Sequence, residues 1–301
     1  MRIHFTGIAG AGMVAAALMM REAGHRITGS DEDVFPPMST YVEGLGFPVA
    51  WRFDSAHVTP DLDLLVLGAS AKLGGEANVE VRAARAAGVR ITTFPELVGE
   101  ATAGRLNTVV AGSFGKSTCT ALLAHILRQA ACDAGWMIGA ISPSLPDTGH
   151  WGTAPQVVLE GDEYIVSGTD RRSKFVLYHP RDVLLTSLVH DHVNVFPTFA
   201  DYEAPFRALL NLIPADDGLL VARESAPIRA VQGECAARIV WYDTAPCDGW
   251  WSEDVTYGET SRFTLRGPGG RRLPLALSAF KRAGRGQGGR RWRRRPRAVY
   301  A

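Results

Sequence analysis

The chain has 301 residues, 46% of them hydrophobic and 21% charged, which is enough for two ordinary domains with their own cores. No apolar stretch reaches the roughly 18–20 residues that span a bilayer, and the N-terminus, MRIHFTGIAGAG, lacks the charged and apolar blocks of a secretion signal. The four cysteines (Cys119, Cys132, Cys235, Cys247) show neither a CxxC pair nor metal spacing, so reduced thiols in a cytoplasmic protein are expected.

In chain order, RIHFTGI (2–8) reads as an apolar strand, and MVAAALMMREAG (13–24) as an amphipathic helix stopped by Gly24. HRITGSD (25–31) is a second strand and LDLLVLGAS (62–70) a third, buried one. NVEVRAARAAG (78–88) is a helix, and VRITTFPEL (89–97) a strand running into a turn. Strands alternating with helices imply parallel pairing in a doubly wound sheet. A second unit begins near Arg105. LNTVVAG (106–112) is a strand, STCTALLAHILRQA (117–130) a helix, and APQVVLEGDE (154–163) a strand ending in carboxylates. FVLYHPRDVLLTSLVHDHVNVF (175–196) reads as one or two further strands opening into a loop. DYEAPFRALLNLI (201–213) is a helix, and DGLLVARES (217–225) and AARIVWYD (236–243) are strands. The expected organisation is an α/β domain over 1–104, a second α/β domain over 105–278, and an arginine- and glycine-rich tail over 279–301, read as disordered.

The formal charge of +1 hides an asymmetry. Residues 281–301 hold nine basic groups and no acidic one; without them, 23 basic face 31 acidic groups, a formal −8 for residues 1–280. The body therefore has no electrostatic case for nucleic acid.

Two glycine-rich turns carry the chemistry. Gly7, Gly10 and Gly12 sit between the first strand and helix, where glycine permits a tight turn and close approach of backbone N–H groups to a diphosphate. Asp31 ends the second strand, where a carboxylate can accept from a ribose. A structural turn and a nucleotide or nucleotide-sugar site both fit this pattern. The second turn, AGSFGKST (111–118), joins a strand to a helix. Its glycines would let successive N–H groups face an anion, Lys116 supplies a point charge for phosphate, and Ser117 a hydroxyl for Mg²⁺. The standard spacing needs a glycine where Val110 stands. Glu160, Asp162 and Glu163 follow at the end of a strand, and alternation puts Glu160 and Asp162 on one face with Glu163 opposite. His190, Asp191 and His192 end the next apolar stretch; a zinc site is the rival reading there, but two further ligands for a closed site are missing.

GIAGAGM, TGSD, GSFGKST, LEGDEY, DRRSKF and HDHVNVF occur in this order and resemble the ATP-dependent Mur ligases of bacterial cell-wall synthesis. The resemblance covers roughly residues 1–275, and the short loop G-[TS]-x-G-K-[ST]-[ST] of that family accounts for Val110. It implies a Rossmann-like N-terminal sheet followed by a phosphate-loop α/β central domain. Gly7, Gly10, Ala11, Gly12, Met13 and Asp31 would hold the UDP-sugar. Gly112, Ser113, Phe114, Gly115, Lys116, Ser117 and Thr118 would bind ATP. Ser117, Glu160 and His192 would hold metal, with Lys116, Glu160 and His192 as the catalytic set and Mg²⁺ as cofactor. The implied partners are ATP, UDP-N-acetylmuramate and a peptide or amino-acid acceptor, with no nucleic acid and no membrane. The implied reaction is phosphorylation of the muramoyl carboxylate, followed by attack of an amine on the acyl phosphate. VFPPMST (34–40) and SGTDRRSKFVLYHPR (167–181) look more like family members that attach the tripeptide L-alanyl-γ-D-glutamyl-meso-diaminopimelate, in peptidoglycan recycling, than like those that attach L-alanine. The alternatives are L-alanine ligation or a non-catalytic nucleotide-binding chain.

The sequence departs from the family pattern in several places. Phe114 stands where His or Asn is common, and Ser187 and Val189 where Asn and Glu usually precede His192, which would weaken a second metal site. No G-R-H-N-x-x-N segment and no third domain are expected, and the tail reads as out-of-frame translation or a truncated gene. Binding of RNA or anionic lipid is its functional alternative.

Overall fold

The computed structural model describes residues 1–69, 77–258 and 260–277. The tail expected at 279–301 lies outside the described residues. The chain divides into two compact units, residues 1–239 and 240–301.

The first unit opens with β1 (Arg2–Thr6), α1 (Ala11–Glu22), β2 (Arg26–Ser30), α2 (Met38–Glu43), β3 (Val49–Ala50), β4 (Leu64–Leu67), α3 (Val79–Ala86), β5 (Arg90–Thr93) and α4 (Phe94–Thr102). The five strands form one parallel sheet in the order β3-β2-β1-β4-β5. That is doubly wound topology, in which ligand sites form at the carboxyl ends of strands where the order reverses. The apolar run in α1 is buried all round, from Met13 to Met20, because the helix also touches the next sheet.

FPEL is not a turn: Phe94 starts α4 directly after β5. Thr93 and Glu96 form a reciprocal capping box and Pro95 sits in the first turn, where its missing N–H costs nothing.

The unit continues with β6 (Leu106–Ala111), α5 (Lys116–Gln129), β7 (Gly135–Met137), β8 (Gly149–His150), β9 (Gln156–Glu160), β10 (Asp182–Leu185), α6 (Phe199–Leu210), β11 (Leu219–Arg223) and α7 (Ala226–Val231). Its strands run β11-β10-β6-β9-β7-β8, all parallel except the short edge pair β7–β8. FVLY is a second correction. Residues 174–178 form a 3-10 turn rather than a strand, ending at His179 with φ +45°. Phe175 and Tyr178 are fully buried there, so the apolar run serves the core without joining the sheet. The two sheet regions are tied by α1 and α2: Trp151 N donates to Glu22 of α1 at 2.8 Å, and Tyr41 Oη of α2 accepts from Thr148 N at 3.0 Å.

The second unit contains most of β12 (Arg238–Asp243), then β13 (Gly249–Thr256), β14 (Ser261–Gly267) and β15 (Arg271–Leu277). β12 and β13 pair in parallel, and β13-β14-β15 is an antiparallel meander. All four cysteines are free thiols. Among the described residues, no helix is long and apolar enough to cross a membrane.

Candidate functional site

The first glycine turn is built by the ends of β1 and β2. Gly7 takes φ +85°, and the N–H groups of Gly7 and Ile8 both donate to the Ser30 carbonyl, at 2.8 and 3.1 Å. Asp31 Oδ2 accepts from Ala9 N at 2.8 Å and Oδ1 from Glu32 N at 2.9 Å. Burial raises the Asp31 carboxyl above its ordinary value despite those two bonds, and the charge of Glu80 adds to the rise. Its first role is therefore to brace the turn. The N–H groups of Ala11, Gly12 and Met13 open α1 without intrahelical partners, which favours an anion in front of them. Gly12 has a packing reason as well: a Cβ there would lie 2.8 Å from Phe94 Cζ.

Beneath the turn lies a polar cluster that no sequence motif marks. Glu80, in the first turn of α3, is fully buried and accepts from the Thr6 and Ser30 hydroxyls at 2.7 Å and from His57 Nδ1 at 2.6 Å. His4 Nε2 lies 3.5 Å away. Burial alone would push the Glu80 carboxyl up, but the hydrogen bonds from His4, His57, Thr6 and Ser30 outweigh it and bring it to about 2.

The second turn runs from β6 into α5. Gly112 (φ +135°) and Gly115 (φ +85°) take conformations that L-residues avoid, and a Cβ on Gly112 would collide with Thr186 and the Ser187 backbone. The loop is strapped to the end of β10. Ser113 N donates to Ser187 O (3.2 Å), Phe114 N to Ser187 Oγ (2.8 Å), and Ser113 Oγ bridges Val189 and Tyr202. So Ser187 and the Val189 backbone serve the loop, and the N–H groups of Ser113 and Phe114 are engaged within the protein. The N–H groups of Lys116, Ser117 and Thr118, at the start of α5, have no intrahelical partner and can meet an anion. Phe114 itself is exposed. Thr118 lies in the first turn of α5, one residue beyond Ser117.

The carboxylates sort differently from the alternation argument. β9 ends at Glu160, so residues beyond it no longer alternate. Glu160 Oε1 accepts from Ser117 Oγ at 2.6 Å, and Oε2 from Gly139 N at 2.7 Å. Glu163, expected on the opposite face, meets the loop instead. It accepts from Lys116 Nζ at 2.8 Å and Tyr202 Oη at 3.2 Å, and lies 3.3 Å from His192 Nε2. Asp162 pairs with Lys174 at 2.6 Å. The structure thus joins Ser117 to Glu160 and, separately, Lys116 and His192 to Glu163. Neither Glu160 nor His192 falls in a three-membered His/Cys/Asp/Glu ligand cluster among the described residues, and His190 turns to Phe196 O at 2.8 Å. The hydroxyl–carboxylate pair of Ser117 and Glu160 is a hard-oxygen donor set of the kind Mg²⁺ takes.

A cavity of about 560 Å³ joins the two turns. Its wall includes Gly10, Gly12 and Asp31 from the first, Lys116 and Glu160 from the second, and Phe94 and Lys174 alongside. Helix N-termini and two lysines around one cavity can bind two anionic ligands and neutralise charge moving between them.

The sequence profile of the Mur ligase family, catalytic domain, matches residues 2–105. The chain is 32% identical over 224 residues to the UDP-N-acetylmuramate–L-alanyl-γ-D-glutamyl-meso-2,6-diaminoheptandioate ligase of Haemophilus influenzae, covering 74% of this chain and 49% of that protein. It is also 32% identical over 234 residues to the UDP-N-acetylmuramate–L-alanine ligase of Roseiflexus castenholzii, covering 77% and 47%. The crystal structure of the UDP-N-acetylmuramate:L-alanyl-γ-D-glutamyl-meso-diaminopimelate ligase from Neisseria meningitides superposes with a TM-score of 0.79 at 27% identity, over 89% of this chain and 84% of that one. The chain spans about half the length of the two sequence relatives.

Proposed function

Because the chain belongs to the Mur ligase family, we propose that it carries the ATP- and UDP-sugar-binding parts of an ATP-dependent ligase that joins UDP-N-acetylmuramate to L-alanyl-γ-D-glutamyl-meso-diaminopimelate. The observation that carries this reading is the single cavity lined by both the Gly10–Gly12 turn and Lys116 with Glu160. Such a cavity lets a sugar-borne carboxylate reach a terminal phosphate.

In this reading the start of α1 receives the diphosphate of the sugar, and Asp31 holds the turn that presents it. The loop from Gly112 to Thr118 receives ATP, with Lys116 leaving Glu163 to meet the transferring phosphoryl group. The carboxylate oxygen forms a bond to the γ-phosphorus, and the bond to the β-bridging oxygen breaks, so ADP departs with the electron pair. The acceptor amine then attacks the acyl phosphate carbon, phosphate leaves, and the amine proton passes to a base or water. Ser117 and Glu160 would hold Mg²⁺, which supplies charge neutralisation on the phosphates. His192, which lies beside Glu163, would hold a second ion. The first sheet region, residues 1–104, serves the sugar nucleotide and residues from 105 on serve ATP. We place the reaction in the cytoplasm, where ATP is available.

A second reading, with L-alanine as the acceptor, rests on the 32% identity to the L-alanine ligase. Phosphate release with ATP, Mg²⁺ and UDP-N-acetylmuramate separates the two. Release that depends on the tripeptide supports the proposal, and release that depends on L-alanine replaces it with the second reading. No release with either, together with protection by both nucleotides against thermal unfolding, leaves a binding protein without ligase activity.

A further inference from the structure

Lys174 lies in the same cavity wall and has no role in the scheme above. It opens the 3-10 turn over 174–178 and is only 7% exposed. An ammonium carries three N–H donors. Among the described residues Lys174 Nζ makes one hydrogen bond, 2.6 Å to Asp162 Oδ2. The faces of Phe94 and Tyr164 lie 5.6 and 5.5 Å away and accept no conventional hydrogen bond. Lys116 differs, because it already holds two acceptors, Gly112 O and Glu163 Oε2. A nine-tenths-buried ammonium paired to one carboxylate still has two donors facing no acceptor among the described residues, and an acceptor entering the cavity would take them.

Its position says which anion. Phe94 connects it to Gly12 of the first turn, and Asp162 stands two residues from Glu160. Under the proposed function, on which this inference rests, the diphosphate has the start of α1 and the transferring phosphoryl group has Lys116 and the start of α5. The remaining anion is the carboxylate of the sugar substrate. We propose that Lys174 binds that carboxylate and thereby selects an acid-bearing UDP-sugar over its neutral counterpart. Asp162 and the rings of Phe94 and Tyr164 hold the ammonium in place.

The test is calorimetric titration of the wild type and Lys174→Gln with UDP-N-acetylmuramate and with UDP-N-acetylglucosamine, which lacks the carboxylate. Losing one charge-assisted hydrogen bond should weaken UDP-N-acetylmuramate binding roughly 10- to 100-fold, leave UDP-N-acetylglucosamine binding unchanged, and be partly rescued by Lys174→Arg. If Lys174→Gln unfolds, Asp162→Asn/Lys174→Gln replaces the ion pair with a neutral hydrogen-bonded pair, and the same loss of discrimination is expected. Equal weakening for both sugars assigns Lys174 to the diphosphate or to the fold and overturns the proposal, as does undiminished discrimination. A wild type that binds neither sugar refutes the proposed function instead.

Discussion

At the scale of single residues, the site turns on which polar group meets which. Lys116 and Ser117 were legible from their place after a strand and before a helix. The partner of Lys116 was not: strand alternation set Glu163 on the far side, but β9 stops at Glu160 and the chain turns through Gly161. The Gly-Asp-Glu sequence after an apolar strand was the available signal for that stop. Glu80 was invisible to motif reasoning, because a glutamate in the first turn of a helix usually faces solvent. Here it ties Thr6 and Ser30, the last residues of the two strands that carry the first turn, to His57. Its carboxyl lies near 2 in the fold against an ordinary 4.5. A lowered value stabilises the fold fully above about pH 4.5, and that contribution fades as pH falls toward 2. The displacement corresponds to about 3 kcal/mol. Glu80→Gln should therefore be clearly less stable than wild type at pH 7 in urea unfolding, and the gap should narrow below pH 4.5. A gap independent of pH between 7 and 3 would show that the charge of Glu80 contributes nothing.

At the scale of elements, alternating apolar strands and helices were readable because a parallel sheet buried on both faces leaves continuous apolar runs. The runs failed as guides where burial came without strand geometry. FVLY is apolar because Phe175 and Tyr178 fill the core, yet it coils as a 3-10 turn. α4 was missed because Phe-Pro suggested a turn, although Thr93 and Glu96 carry the capping-box spacing. That helix matters for the site, since its first residue, Phe94, packs on Gly12 and faces Lys174. Thr93→Ala removes the side-chain half of the capping box. It should cost about 1 kcal/mol in thermal or urea unfolding, with Thr93→Ser close to wild type. No difference between the two variants would show that the box does not hold the helix start.

At the scale of the whole molecule, two parallel sheets in residues 1–239 each end a strand in a glycine turn, and one cavity receives both. Sequence separated the two sheets but could not show that their turns share a cavity, because that depends on how α1 packs against β7 and β8. The meander at 249–277 had no early signal, since β15 is exposed along its whole length and β13 turns polar and exposed after its two tryptophans, so no buried apolar run marks it. The central claim is that one ligand site for ATP and one for the UDP-sugar meet at Lys116. Its most direct test is titration of Mg-ATP into the protein saturated with UDP-N-acetylmuramate, for wild type and Lys116→Ala. The account predicts that both proteins bind the sugar, and that Lys116→Ala binds ATP at least roughly tenfold more weakly, as expected for a lost charge-assisted contact. Equal ATP affinity in the two proteins would contradict it.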